Sequence, residues 1–391
     1  MKSFFGKLRP KSLYSLFSDE LSQDRIFGLD LLRFFAITTV VLGHGAYLMP
    51  VKIADFHKYF TFDGVNIFFA LSGFLIGGIL IKQLENNQAD FSLLLHFWMR
   101  RWFRTLPTYF LILVILTVFY CITDPEFTFH QVKKYYFFCQ NLYYPPPAFF
   151  RESWSLSVEE WFYFAVPPVI FTLIILFKFK TRNAVLATAV FVIILIAFLK
   201  YRIYLDPVKS SSFDLYHNQV IIRIDSIMYG VVAAYLSFYH SRIWNYSPIG
   251  LLVLGLLIFG IQKYFAVTQY VNNADWFSFY HIVLDYNLTS VATVLLLPYL
   301  SNYRKTRYKT GNLITIISLI SYSMYLTHMS LIKIMILKEI PWTDFTTNYN
   351  IILPTIYILY WILTLTLSVF LYKYYEVPTT RLREKFTRTK S

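Results

Sequence analysis

Charge is scarce in this 391-residue sequence: Asp, Glu, Lys and Arg together make up 15% of it. Soluble domains carry about a quarter. Hydrophobic residues account for 57% and aromatics for 20%. Many of the apolar runs are as long as the ~20 residues a helix needs to cross a bilayer. The shortage of charge therefore excludes a soluble enzyme with one buried core and indicates an all-α polytopic membrane protein. Cysteine is nearly absent. Cys121 and Cys139 are too few for a disulfide framework, and neither sits in a metal-ligating cluster. No cleavable signal peptide is legible, because MKSFFGKLRPKSLYSLFSDELSQDR stays polar and basic for too long before the first apolar run. No internal repeat or low-complexity run is legible, and no appended soluble domain is expected.

Hydropathy predicts ten spans, near 27–48, 62–81, 105–122, 154–177, 183–200, 219–239, 248–265, 281–300, 312–336 and 350–372. They form one domain over 1–376, followed by a short basic tail over 377–391. An even number of spans puts both termini on one side. The basic segments KLRPK, MRRWFR, KFKTR, NYRKTRYK and RLREKFTRTK all fall on that side, so the positive-inside rule makes both termini cytoplasmic. The net charge of +14 is thereby a topology signal rather than a nucleic-acid footprint. On the inner side, FSLLLHFWMRRWFR (91–104) reads as a separate interfacial helix with Trp98 and Trp102 at headgroup depth. On the outer side, the prolines of YYPPPAFFRE predict an extended approach to the fourth span.

Against this apolar background the ionisable residues stand out. The first span, LDLLRFFAITTVVLGHG, holds Asp30, Arg33 and His44. Asp30 and Arg33 are three apart, and Arg33 and His44 eleven apart, so all three share one helical stripe. His44 then lies roughly 16 Å along the axis from Arg33. Ionisable residues in spans face a bundle interior or a wet cavity. Gly43 and Gly45 strip bulk from around the imidazole. The alternative is a packing role, with an Asp–Arg pair locking helices and a satisfied histidine.

Further polar groups follow along the chain. Arg101 and Arg104 share a helix face, and guanidinium forks suit phosphate oxygens; ordinary positive-inside anchoring is the bland reading. Ser157 and Glu160 fit a capping box at the start of the fourth span, which leaves Glu159, four residues from Ser155, to face a cavity. The second span is rich in small residues, Ser72, Gly73, Gly77 and Gly78, which permit close approach of a backbone or a thin ligand. Arg223 and Asp225 lie near the outer end of the sixth span. Ser321, Tyr325 and His328 form one polar face in the ninth.

Taken together and in order, these segments resemble the acyltransferase 3 family of bacterial integral-membrane O-acyltransferases. The resemblance rests on Arg25, Gly28-Leu29-Asp30, Arg33 and His44; on Phe68-Phe69-Ala70-Leu71-Ser72-Gly73-Phe74; and on Arg101 with Arg104. It continues through Trp154-Ser155-Leu156, Glu159 and Phe162-Tyr163; Arg223, Asp225 and Gly230; Ser321-Tyr322, Tyr325-Leu326 and His328; and Glu376-Val377-Pro378. Asn66 departs from it, standing where many members carry Asp. The resemblance implies transfer of an acyl group, most commonly acetyl, from cytoplasmic acyl-CoA to a hydroxyl of an envelope glycan or lipid-linked saccharide. Lipopolysaccharide O-antigen and exopolysaccharide are the acceptors it suggests first, with peptidoglycan and small glycosides also open, and the bacterial inner membrane is the location.

On that expectation acyl-CoA is a co-substrate, no cofactor is tightly bound, and no metal takes part. Asp30, Arg33, Arg101, Arg104 and Ser72 hold the donor. His44 is the general base for the acceptor hydroxyl, because imidazole titrates near neutrality. Glu159 orients the histidine or the acceptor. Arg223 and Asp225 meet the acceptor, and Tyr325 or His328 stabilises the oxyanion. The competing class is a transporter or flippase for a lipid-linked saccharide, which needs a polar interior but no phosphate clamp. A third is a non-catalytic subunit, which predicts no acyl-CoA binding. Oligomeric state leaves no trace in the sequence.

Overall fold

The computed structural model describes residues 16–22, 24–49, 53, 57, 59–143, 145, 148–268, 278–308 and 310–387. Ten helices are long and apolar enough to cross a membrane, and no β-strand occurs among the described residues. We number them α1 (Phe27–Gly45), α2 (Gly64–Asn86), α3 (Phe91–Thr123), α4 (Ser153–Ile175), α5 (Thr181–Tyr204), α6 (Ile224–Tyr239), α7 (Pro248–Thr268), α8 (Tyr280–Asn302), α9 (Thr310–Leu337) and α10 (Tyr349–Leu371). Below, the face at which α1 begins and α10 ends is the terminal face, and the other is the far face.

The bundle is inside-out relative to a soluble protein. Phe191 and Ile194 on α5, Leu256 and Leu257 on α7, and Ile358 and Ile362 on α10 are all exposed. Lipid tails are the solvent for such side chains, whereas every backbone polar group must be paired within its helix. Polar residues run inward instead: Asp30, Asn66, Lys200, Arg223, Asp225 and His328 are all buried.

The tightest pairing is α2 against α6, and small residues make it possible. A Cβ on Gly73 would strike the carbonyl of Ile227, and one on Gly230 the carbonyl of Ala70. The two glycines thus let the backbones touch, as small residues do between membrane helices. Of the other small residues on α2, Gly77 also lies against α6, while Ser72 faces a cavity.

Two local expectations are corrected. The interfacial helix and the third span are one 33-residue helix, α3, with Pro107 inside it. Hydroxyl donors secure its backbone near the proline: Tyr322 to the Thr105 carbonyl (2.6 Å) and Tyr375 to that of Pro107 (3.3 Å). Trp98 packs on the bundle, giving its Nε1–H to the Tyr163 carbonyl at 2.7 Å. The fourth span starts at Ser153, so Ser157 and Glu160 form no capping box. Ser157 turns back to the Ser153 carbonyl, and Glu160 accepts from Thr105. The basic tail continues as helix, α11 (Val377–Thr387), after a π turn over Tyr372–Glu376. Of the three loop prolines, only Pro145 is among the described residues.

Candidate active site

Three cavities follow one another through the bundle. The first opens at the terminal face, with a volume of about 560 Å³. Asp30 on α1 organises it. Its carboxylate accepts from Arg25 (2.6 and 2.9 Å), from Arg33 (3.0 Å) and from Ser318 on α9 (2.8 Å). With its oxygens so engaged, Asp30 positions two guanidinium groups rather than offering itself to a ligand. The i,i+3 spacing read from the sequence is what lets Arg33 reach it.

The second cavity, about 140 Å³, shares Arg33, Arg104, Ser321 and Tyr322 with the first. Arg101 joins them, so three arginines from α1 and α3 converge on one small chamber. The Nε of Arg101 is buried and finds no hydrogen-bond partner among the described residues. Because α3 is a single helix, its basic turn is carried into the bundle instead of lying on the membrane surface. Glu159 faces these arginines across the chamber. It accepts from Ser72 at 2.9 Å and from Tyr163 at 3.4 Å. It does not touch His44, whose imidazole partner is a different residue.

The third cavity, about 450 Å³, lies toward the far face and contains His44. His44 Nδ1 lies 2.7 Å from Nε2 of His328. The carbonyl of His44 accepts from Lys333 at 2.5 Å and that of Val41 from Tyr360 at 3.0 Å, which pins the end of α1. Gly43 borders the cavity, but Gly45 is filled by the rings of Tyr357 and Tyr360. Opposite stands Arg223, 1% exposed. Its guanidinium is 3.7 Å from the centre of the Tyr286 ring and 5.5 Å from that of Trp154. One nitrogen reaches Asp63 at 3.4 Å, and among the described residues the Nε and Nη1 atoms find no hydrogen-bond partner. An aromatic face helps hold such a cation in a dry site.

The second and third cavities meet at a thin partition. Val65 lines both. Ser155 and Tyr325 line the second, and Trp154 lines the third. Ser155 donates to the Tyr325 hydroxyl (2.6 Å), which in turn donates to the Glu152 carbonyl (2.9 Å). The Tyr325 proton is thus occupied and not available to an oxyanion in this arrangement.

Asp225 does not reach the third cavity. It is paired with Lys200 on α5 at 2.5 Å, both side chains fully buried, and Lys200 also meets Asn287 on α8. Lys200 was overlooked in the sequence, although a lysine at the end of an otherwise apolar fifth span was the signal. Asp63 and His217 also line the third cavity and are absent from the sequence reading: Asp63 falls at the very edge of the predicted second span, and His217 in a connection where polar residues are ordinary. His217 donates from Nδ1 to the Asp214 carbonyl at 2.7 Å, and burial lowers its proton affinity below that of a free imidazole. Asn66 is a tie between helices, donating to the Tyr286 carbonyl and to Ser290.

A family model described as an acyltransferase domain matches residues 26–373. Among curated relatives, the peptidoglycan O-acetyltransferase OatA of Listeria monocytogenes is 32% identical over 31% of this chain and 22% of its own length. The O-acetyltransferase OatA of Staphylococcus aureus is 28% identical over 54% of this chain and 34% of its own. The putative peptidoglycan O-acetyltransferase YrhL of Bacillus subtilis is 29% identical over 46% and 28%. The matched parts thus span about a third or less of these relatives. No solved structure matches the chain.

Proposed function

Because the chain belongs to the acyltransferase 3 family, we propose that it moves an acyl group, acetyl in the first instance, from acyl-CoA to a hydroxyl of an envelope glycan. The observation that carries this reading is the arrangement of the cavities: three arginines on one side of a thin partition and a histidine on the other. The basic segments on the terminal face make that face cytoplasmic, and the membrane is the bacterial inner membrane. Acyl-CoA enters there, its phosphates taken by Arg25, Arg33 and Arg104. Asp30 holds the first two of these in place. The acyl-bearing arm passes Arg101, Ser72 and Glu159, and the thioester arrives at Val65, Ser155 and Tyr325.

The acceptor hydroxyl approaches through the third cavity. His44 Nε2 takes its proton while the oxygen attacks the thioester carbon. The tetrahedral intermediate carries its negative charge in the neighbourhood of Arg223, whose spare N–H groups suit it. Collapse breaks the carbon–sulfur bond, and the departing thiolate receives the proton from His44. Ester and free CoA result, so atoms and charges balance. Peptidoglycan is the first acceptor to test, because two of the relatives carry that word in their names. Lipopolysaccharide O-antigen and exopolysaccharide follow.

The test uses the purified protein with radiolabelled acetyl-CoA and a crude envelope glycan. Label in the glycan, lost in a folded His44→Ala variant, is the expected result. Full transfer by that variant removes His44 from the chemistry. Movement of unlabelled lipid-linked saccharide across vesicles without acyl transfer makes the protein a transporter instead.

A further inference from the structure

We propose that His328 is a positioning residue that fixes the tautomer of His44, presenting its Nε2 lone pair to the acceptor hydroxyl. The inference rests on the role of His44 given above. It follows from a chain of hydrogen bonds in which the direction of every proton is forced.

The chain starts at the backbone. His328 Nδ1 lies 2.8 Å from the carbonyl oxygen of Tyr325 and 3.1 Å from that of Met324. Carbonyl oxygens only accept, so Nδ1 carries the proton. A neutral imidazole has one N–H, so Nε2 of His328 is bare and must accept. Its neighbour is His44 Nδ1 at 2.7 Å. That nitrogen therefore donates, and Nε2 of His44 is left with a lone pair. No other group makes a hydrogen bond to the His44 imidazole among the described residues, and His44 lines the far cavity.

The ring geometry agrees. The two ring centres are 5.0 Å apart and their planes 13° apart. The nitrogens are much closer than the centres, so the rings meet edge to edge in nearly one plane. That is the approach an N–H···N bond requires, since the N–H and the lone pair both lie in the ring plane.

The helix itself supplies the reason why two backbone carbonyls point at His328. At this residue α9 changes from α to π, and the π stretch runs to Leu337. A π segment shifts the hydrogen-bonding register and commonly marks a functional site. The Ser330 N–H is given to the carboxylate of Glu152 at 3.0 Å, and the Ser330 hydroxyl to the same carboxylate at 2.5 Å. The loop before α4 thus holds the π turn in place, and the turn holds the ring.

The arrangement does the work that a carboxylate does beside other catalytic histidines, where an acceptor at Nδ1 selects the tautomer and steadies the imidazolium once it forms. Here the acceptor is neutral, which is less costly to bury than a charge. When His44 Nε2 takes the hydroxyl proton, the Nδ1–H stays on His328 Nε2. His328 neither gains nor loses a proton. Its one N–H is already committed to the backbone, so it has none to give an oxyanion, the role first expected of it.

The test has a spectroscopic arm and a kinetic arm. Full-length protein labelled with ¹⁵N-histidine is placed in nanodiscs, and the His44 signals are identified by their loss in His44→Gln. The expected spectrum at neutral pH has Nδ1 of His44 protonated and Nε2 bare. A proton on Nε2 of the wild-type residue overturns the proposal. Kinetically, His328→Leu is expected to lower kcat about 100-fold with little change in KM for acetyl-CoA. Its His44 signals should show a mixture of tautomers. His328→Gln places an amide oxygen near the lost Nε2 and should recover activity to within about tenfold of wild type, a window set by the same scale of effect. Equal loss in both variants, or wild-type kcat in a folded His328→Leu, overturns it. Should the leucine variant not fold, the wild-type spectrum decides alone. Activity surviving in His44→Gln is a different failure: it sinks the base assignment, whatever tautomer the spectrum shows.

Discussion

The buried pair Lys200–Asp225 yields the sharpest test of how this bundle uses charge. Asp225 belongs to a motif-like segment of α6, which makes it a natural candidate for the acceptor. The structure instead closes it against Lys200 at 2.5 Å, with side-chain exposures of 1% and 0%. Removing one member strands the other in a dry interior. That costs about 3–5 kcal/mol. Replacing both with apolar residues of similar size removes the desolvation cost together with the attraction, and is close to neutral or mildly stabilising. Asp225→Leu alone and Lys200→Met alone should each lower thermal stability sharply in detergent. The double variant should return near the wild-type midpoint, giving a coupling energy of about 6 kcal/mol or more in the cycle. Asn287 Oδ1, 3.2 Å from the ammonium, softens the loss in Asp225→Leu but cannot replace a carboxylate. Thermal unfolding and acetyl transfer are then measured on all four proteins. The reasoning fails if the two single losses simply add in the double variant. It fails equally if the double variant is stable but inert, because Asp225 would then serve the acceptor and not the fold.

Other consequences can be checked more briefly. Arg101→Ala combined with Arg104→Ala should raise KM for acetyl-CoA by at least tenfold, since each charge-assisted hydrogen bond is worth about 1.5–3 kcal/mol; disappearance of the protein from the membrane would show instead that the pair is an anchor. Gly230→Leu should prevent accumulation of folded protein, because its side chain meets the Ala70 carbonyl, and normal yield in a membrane fraction would contradict the close contact of α2 and α6. Burial pushes the Glu152 carboxyl up to about 7 from its ordinary 4.5, despite the opposing bonds from Ser330. Between these values the native state keeps a proton that the unfolded chain releases. Its contribution is therefore complete below pH about 4.5 and falls by up to about 3 kcal/mol as pH rises through 7. Glu152→Gln should flatten that fall in a thermal-shift series, and parallel profiles would count against it.

Several features were legible from local pattern because they depend on it. The stripe of Asp30, Arg33 and His44 is a consequence of helical spacing alone, and it does face the cavities. The α3 helix was read as two pieces because hydropathy treats a basic turn as a break. An arginine facing an internal chamber and one facing water look alike to a sliding window. The capping box at Ser157 fails for a related reason. Gln140 donates to the Ser153 hydroxyl and Asn141 to the Trp154 carbonyl, so partners from a preceding loop hold the first turn where no side-chain cap does. The change from α to π at His328 left no mark in the sequence pattern, since it reflects what Glu152 and the neighbouring helices do to that turn.

By itself, the order of apolar and polar residues determined ten membrane helices, an all-α class and a set of motifs pointing to one family. Those properties are written in short windows of chain, where periodicity and the bilayer's demand for apolar length act directly. Which ionisable groups meet was decided only by packing. His44 finds His328 across 284 positions, Asp30 finds Ser318 across 288, and Glu152 finds Ser330 across 178. No local pattern encodes such pairings. They arise because helices buried in lipid must turn their few polar side chains toward one another, and the angle at which the helices pack selects the partner.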